Sequence, residues 1–511
     1  MNGPQTPPER ASFLKRLIPQ SGAARVFAVI LLVYTALFFW LACRKFDVCN
    51  SNEGDTAGVD YVFWSPTIGK FFWHFDLQGP TFEMHQEPLI LLLWLPYRVL
   101  PAVKTLLLIN TLCLAMAGLA IYLLARKVLG DGAAAVLIAV AYLFYPSIAS
   151  QHVNQLHSSV FPVPFLMFAL YFFVCERFGW YSVFLLLACL GKENVALTAF
   201  MFAPYALLCR RKWKWLVVSA LVPIAIFALD FSVIRPYFAQ GRQYIAMENF
   251  GNLGNSFGEV VTTALTNPGK VMDAVCTEAN AFYVFLALQA VGWVLPFFAL
   301  ELIFLLPDLM TNLVTTNSGL RALAWHYNLF VGSFLVASCV FSILRIERWL
   351  GKRFGPGQYR HVLAGILCAC SLSSWWIWFS PEEYEKRPEH DALYRAFAQV
   401  PPQASLLMGP NQIMGHLSHR DVFSTPDRLV LVPEEMYKYN WVLFDMNFTT
   451  GSPYTPADMN VTKDVFMSFA TNDLYAAVFD EQNVFVFRRR EPFPESEVRR
   501  VRIRSKTSEK W

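Results

Sequence analysis

The stretch VFAVILLVYTALFFWLAC, residues 26–43, runs for eighteen residues without a charge. A bilayer core of about 30 Å takes roughly 20 apolar residues as a helix, so this run can cross one. The polar segment before it holds Arg10, Lys15, Arg16 and Arg25, and no small-residue cleavage site closes it. That pattern predicts a retained first transmembrane helix with a cytoplasmic N-terminus, not a removed signal peptide.

Outward from it, similar runs recur at 105–125, 133–150, 158–175, 279–300, 322–344 and 362–380, with shorter ones at 180–191, 194–209, 215–229 and 302–317. Together they predict about eleven spans. One apolar run is set apart: residues 88–101 are bracketed by prolines and hold Pro96 and Arg98. Runs of about 10–14 residues are more often interfacial or re-entrant. With that run not spanning, Arg126–Lys127, Arg210–Arg211–Lys212–Lys214 and Arg345–Arg348–Lys352–Arg353 all face the cytoplasm, as the positive-inside rule expects. The C-terminus then lies outside.

Composition agrees. Of 511 residues 55% are hydrophobic and only 16% charged, with 45 Phe, 20 Tyr and 15 Trp. Soluble domains average about 25% charged residues. A soluble core cannot absorb this much apolar surface, and a disordered chain would not carry it. A net charge of +4 argues against a nucleic-acid partner bound by overall charge. The ten cysteines match no zinc spacing; Cys49 and Cys276 alone fall in polar loops and are the candidates for a disulfide.

The expected organisation is a cytoplasmic segment, 1–25; a mostly α, polytopic helical bundle, 26–380, with outer loops 44–87 and 235–278; a small outer α/β domain, 381–490; and a basic tail, 491–511. In the α/β domain 405–409, 441–445, 476–479 and 484–488 read as strands, and 391–399 and 462–470 as helices. No internal repeat supports an inverted-repeat transporter.

Ionisable groups near the bilayer are costly and usually functional. Under the expected topology five segments bring them to the outer side. They are DTAGVDYVFW (55–64) with Asp55 and Asp60; His85 and Glu87 ahead of the short apolar run; His152 and His157 between two runs; Lys192 and Glu193 in GKEN (191–194); and Arg321 with His326. Convergence of acids, imidazoles and cations on one leaflet is the layout of a polar site at the membrane surface. Asp230, Glu301 and Asp308, set in or beside apolar runs, are expected to make hydrogen bonds inside the bundle.

These segments, together with 145–160, 306–312, 326–330 and MGPNQIMGHLSHR (408–420), resemble a prokaryotic family of multi-spanning membrane proteins of unknown function with an expected GT-C glycosyltransferase fold. More distantly the chain resembles protein mannosyltransferases and aminoarabinose transferases. The resemblance implies an integral inner-membrane enzyme that takes a sugar from a polyprenyl-phosphate donor in the bilayer and gives it to a lipid, glycan or protein acceptor outside. It implies catalytic roles for Asp55 first and Asp60 second. Lys192, Arg321 and His326 would hold the donor phosphate. His85, Glu87, His152, His157 and Glu193 would support them or position a divalent metal ion. The alternative from another class is a lipid or solute transporter, or an envelope-assembly protein.

Overall fold

A computed structural model describes residues 21–50, 53–154, 156–242, 244–355, 357–426, 433–447 and 456–498. The N-terminal segment before residue 21 and the basic tail beyond 498 lie outside them. The chain is mostly helical. Five described helices are long and apolar enough to cross a membrane: Gly22–Asp47, Val103–Leu129, Trp213–Ala239, His326–Phe354 and Tyr359–Trp378. Two bent pairs bring the number to seven: Gly132–Leu143 with Pro146–Val153, broken by 55°, and Pro268–Val275 with Glu278–Gln289, broken by 62°.

The other expected spans are helices of 10–17 residues, among them Ser158–Val174, Phe178–Cys189 and Glu193–Leu208, or are broken further. The reasons are local. Proline removes a backbone donor and clashes with the preceding turn. Pro146 starts a new helix after Tyr145. Pro296 and Pro307 divide the run 279–317 into Glu278–Gln289, two 3-10 turns and Leu306–Val314. The set-apart run forms an eleven-residue helix, Leu89–Val99, too short to cross.

Helices pack at close range where a side chain is missing. A Cβ on Gly332 would stand 2.5 Å from Ser147 Oγ and the Tyr145 ring. Only glycine lets His326–Phe354 lie against the start of Pro146–Val153 there. The same seam is pinned by Tyr142 and Ser333, 3.1 Å apart, and by Ser147 Oγ, which donates to Asn328 O at 2.9 Å.

The three basic clusters gather at one end. Arg360 bonds Glu347 and the Leu129 carbonyl, Arg345 bonds Glu301, and Arg211 bonds Glu176. Lys127 acts electrostatically on Glu176 as well. Asp230, Glu301 and Asp308 make the bonds expected inside the bundle, to Arg235, to Tyr205 and Arg345, and to Asn194 and Thr198.

At the opposite end sit a two-stranded ribbon, β1 (Trp73–His74) against β2 (Gly79–Pro80), and a C-terminal α/β unit. The unit's strands are β3 (Leu406–Gly409), β4 (Phe423–Ser424), β5 (Trp441–Asp445), β6 (Tyr475–Glu481) and β7 (Val484–Arg489). They lie in the order β4-β3-β5-β7-β6; β3 is parallel to β4 and β5, and β7 is antiparallel to β5 and β6. Its alternating apolar residues pack against the helix Pro388–Gln399 and against Ala57, Tyr61 and Phe75 of the first loop. Arg44 Nε donates to Tyr384 O at 2.9 Å, and Lys45 pairs with Glu383. All ten cysteines are free, so Cys49 and Cys276 are not joined; Cys49 is buried and Cys276 exposed.

Candidate functional site

The first loop folds into a helix, Glu53–Trp64, that carries both candidate acids. Five residues of α-helix turn through about 140°, so the two point apart. Asp55 is partly exposed and lines a cavity of about 420 Å³. Gly58, on the same helix, lets the β1 ribbon close in: a Cβ there would lie 2.9 Å from His74 Nε2. His74 and Asp76 therefore reach the same cavity. His85 and Glu87, just ahead of Leu89–Val99, line another wall, and Ser158 Oγ donates to Glu87 Oε1 at 2.5 Å. His157 and Asn411 complete the polar lining.

A second cavity, of about 390 Å³, adjoins the first through His85, which lines both. Its wall is largely apolar and includes Phe231, Phe250, Leu253, Val260 and Phe330. Lys192, Glu193 and His326 stand at its polar head. The rings of His157, on the first cavity, and His326, on the second, stack at 3.5 Å. Ser158 and Ser159, adjacent in the chain, face one cavity each.

Hydrogen bonds at the junction separate the two charges of the Lys192-Glu193 pair. Glu193 Oε1 lies 2.8 Å from His85 Nδ1 and accepts Tyr244 OH at 2.6 Å, and Oε2 accepts the Gln86 backbone N–H at 3.2 Å. Lys192 is 7% exposed, and its Nζ donates to Ser159 Oγ at 3.2 Å. Among the described residues no carboxylate comes within ion-pair distance of it. A buried cation without a counter-ion is costly, and an anion entering the cavity would relieve the cost.

Asp60, Arg321 and His152 are placed elsewhere. Asp60 is fully buried. Its Oδ1 accepts Tyr97 OH at 2.9 Å, and its Oδ2 accepts Ser418 Oγ at 2.8 Å and meets His419 Nε2 at 2.7 Å. His419 also stacks on Trp64 at 5.2 Å. Asp60 is thus a joint between the first loop, the short helix Leu89–Val99 and the C-terminal unit. Arg321 donates to the Thr315 carbonyl at 3.0 Å and is not on the wall of either cavity. His152 is buried among Tyr34 and Phe38, with neither ring nitrogen hydrogen-bonded. Its histidine-rich neighbourhood in the chain gives no hint that the helix Pro146–Val153 turns this ring into the aromatic core while His157 faces the cavity.

Four participants do not stand out in the sequence: His74, Asp76, Tyr244 and Asn411. Asn411 belongs to the quoted stretch 408–420, which was its available signal. His74 ends β1 and Asp76 lies in the turn that follows it, in an aromatic stretch where neither stands out. In the C-terminal unit, burial raises Asp445 to about 6, opposed by two hydrogen bonds from Asn447, and lowers Arg420 to about 10. Among the described residues no three His, Cys, Asp or Glu side chains converge as a metal-binding set.

No curated protein matches the chain. Among solved structures, ArnT from Cupriavidus metallidurans bound to undecaprenyl phosphate is 13% identical, with a TM-score of 0.52 over 92% of this chain and 98% of that one. Its apo state gives 13% and 0.53 over 91% and 98%. The Archaeoglobus fulgidus oligosaccharyltransferase gives 13% and 0.42 over 89% and 73%. The likeness to ArnT shows a GT-C-like fold. The family described as "Predicted membrane protein (DUF2079)" matches residues 59–468, and the chain belongs to that family.

Proposed function

We propose that this protein is an integral-membrane glycosyltransferase that moves a sugar from a polyprenyl-phosphate donor to a hydroxyl acceptor outside the cytoplasm. The observation that carries the reading is Lys192, a buried cation at the head of a largely apolar cavity, with no carboxylate within ion-pair distance among the described residues. A prenyl phosphate has the matching form, an apolar chain ending in an anion. The ArnT structure with undecaprenyl phosphate gives the same fold holding such a lipid.

In this reading the prenyl chain lies along Phe231, Leu253 and Phe330, and the phosphate meets Lys192. Asp55, in the adjoining polar cavity, takes the proton of the acceptor hydroxyl. The acceptor oxygen forms a bond to the anomeric carbon from the face opposite the phosphate. The bond from that carbon to the phosphate oxygen breaks, and polyprenyl phosphate leaves with the electron pair. Lys192 stabilises the charge that develops on it. Glu193 holds His85 between the two cavities, and His326 with His157 forms the partition. The basic end of the bundle faces the cytoplasm of a prokaryotic inner membrane, and the C-terminal unit lies outside.

The test is a binding titration with farnesyl phosphate on the reconstituted protein. Lys192→Met removes a charged hydrogen bond worth about 1.5–3 kcal/mol and should weaken affinity roughly 10- to 150-fold. Arg321→Met should leave it within about twofold. Equal affinity in wild type and Lys192→Met would remove the donor assignment.

A further inference from the structure

Two short helices, Phe257–Thr266 and Pro268–Val275, wall the apolar cavity on one side, where Val260, Ala264 and Val271 line it. An α-helix turns through about 100° per residue, so on the first helix Val260 and Ala264 share one stripe, and Val261 and Leu265 form a second about 100° further round. The second helix repeats the order, with Val271 on the cavity and Met272 next to it. Val261, Leu265 and Met272 are 41%, 79% and 56% exposed. The remaining arc is polar: Glu259, Thr262, Thr263 and Lys270 border a hydrophilic recess, and Asp273 is exposed. Each helix therefore carries three stripes, one on the cavity, one apolar and exposed, and one polar.

We infer that the exposed apolar stripe is sunk in the bilayer leaflet opposite the basic clusters, so that this helix pair is an in-plane wall between the acyl chains of that leaflet and the apolar cavity. Continuity with a membrane-crossing segment says what covers the stripe. Pro268–Val275 leads into Glu278–Gln289 through a 62° bend. Asn280, 2% exposed, fixes the bend: its Nδ2 donates to the carbonyls of Ala274 and Val275 at 2.9 Å and of Leu313 at 2.8 Å. Beyond the bend the chain reaches the basic end, where Arg345 Nη1 donates to the Phe298 carbonyl at 2.8 Å. On the way Phe282 and Phe285 are 62% and 46% exposed, as lipid-facing side chains are. A helix bent so far from a crossing segment runs nearer the plane of the bilayer than its normal. That is the posture of an interfacial amphipathic helix, whose apolar stripe lies about 5–10 Å into the boundary of headgroups and acyl chains. The polar stripe, with Lys270 and Asp273, then faces water. The inference does not rest on the transferase reading, since it needs only the crossing segment and the three stripes.

Spin labels read where each stripe lies. Leu265→Cys and Met272→Cys report the exposed apolar stripe, and Thr262→Cys and Asp273→Cys the polar one. Each is made in a parent whose exposed and half-buried cysteines, Cys43, Cys175, Cys209, Cys276 and Cys370, are serines. Val261→Cys replaces either apolar position if that variant fails to fold. The labelled full-length protein is placed in nanodiscs of palmitoyl-oleoyl phosphatidylglycerol. Power-saturation electron paramagnetic resonance then compares collisions with oxygen, which concentrates among acyl chains, and with a neutral nickel chelate, which stays in water. The oxygen-to-nickel ratio at 265 and 272 should exceed that at 262 and 273 by at least about fivefold, as expected for opposite faces of an interfacial helix. Equal ratios at the four positions would place the stripe in water and overturn the inference. Immobilised spectra at 265 and 272, with neither reagent colliding, would mean that a protein surface covers the stripe, and would overturn it as well. Because the readout is a collision frequency in the absence of any prenyl phosphate, it is independent of the farnesyl phosphate titration.

Discussion

At the scale of single residues, the two acids of the first loop have opposite fates. Asp55 is open to a cavity, whereas Asp60 is enclosed by Tyr97, Ser418 and His419. Asparagine at position 60 keeps the size of the side chain but gives it one acceptor oxygen and turns an amide toward donors. Breaking a buried charged hydrogen-bond set costs roughly 2–4 kcal/mol. Asp60→Asn should therefore lower the thermal midpoint of the reconstituted protein by several degrees, while Asp55→Asn leaves it nearly unchanged. A wild-type midpoint for Asp60→Asn would mean the joint contributes little. The sequence singles out both acids, because a polar pair beside an aromatic run needs an explanation. It does not separate their roles, because two of the three partners of Asp60, Ser418 and His419, lie more than 350 residues away. Lys192 and Glu193 read as neighbours in a turn. Their separation follows from His85 and Tyr244, which compete for the Glu193 carboxylate.

At the scale of elements, the C-terminal strands are plainly legible. Short apolar stretches at 405–409, 441–445 and 484–488 match β3, β5 and β7 to within a residue, since each is bounded by turn residues and buried in the sheet. Spans are less legible. Hydropathy sees apolar runs, but not the breaks that Pro146, Pro296 and Pro307 impose, so 279–317 reads as two clean spans and folds as short pieces. The ribbon of β1 and β2 is missed for the opposite reason: two residues per strand leave no period to detect. One element carries a pH signature. Asp445 ends β5 with its carboxyl raised from 3.8 to about 6 by burial. The folded state holds this proton more tightly than the unfolded chain, so its stabilising effect is complete below about pH 4 and is lost as pH rises to about 6. The difference is on the order of 3 kcal/mol. Hydrogen-exchange protection factors in β3 and β5 should fall over that interval in the wild-type chain. They should stay level in Asp445→Asn; parallel profiles would show that Asp445 is not the group responsible.

At the scale of the whole molecule, the basic clusters and the candidate site occupy opposite ends of one helical bundle. Arg345, Arg360 and Arg211 tie helix ends together at one end. At the other, the first loop, the junction around His85 and the C-terminal unit enclose two adjoining cavities. The charge pattern of the sequence anticipates this polarity, because clusters of like sign separated by span-length runs return to the same side. What it cannot anticipate is that the apolar cavity is closed in part by residues 244–264, which read as a polar outer loop yet supply Phe250, Leu253 and Val260. The central claim is that this cavity holds a prenyl phosphate with its anion at Lys192. A photoreactive benzophenone analogue of farnesyl phosphate, crosslinked in nanodiscs and mapped by peptide mass spectrometry, tests it most directly. Labelling should fall on peptides spanning 227–271 and 306–330, be competed by farnesyl phosphate, and drop at least fivefold in Lys192→Met. Labelling spread over the lipid-facing surface of Gly22–Asp47 and Tyr359–Trp378, uncompeted and indifferent to Lys192, would contradict it.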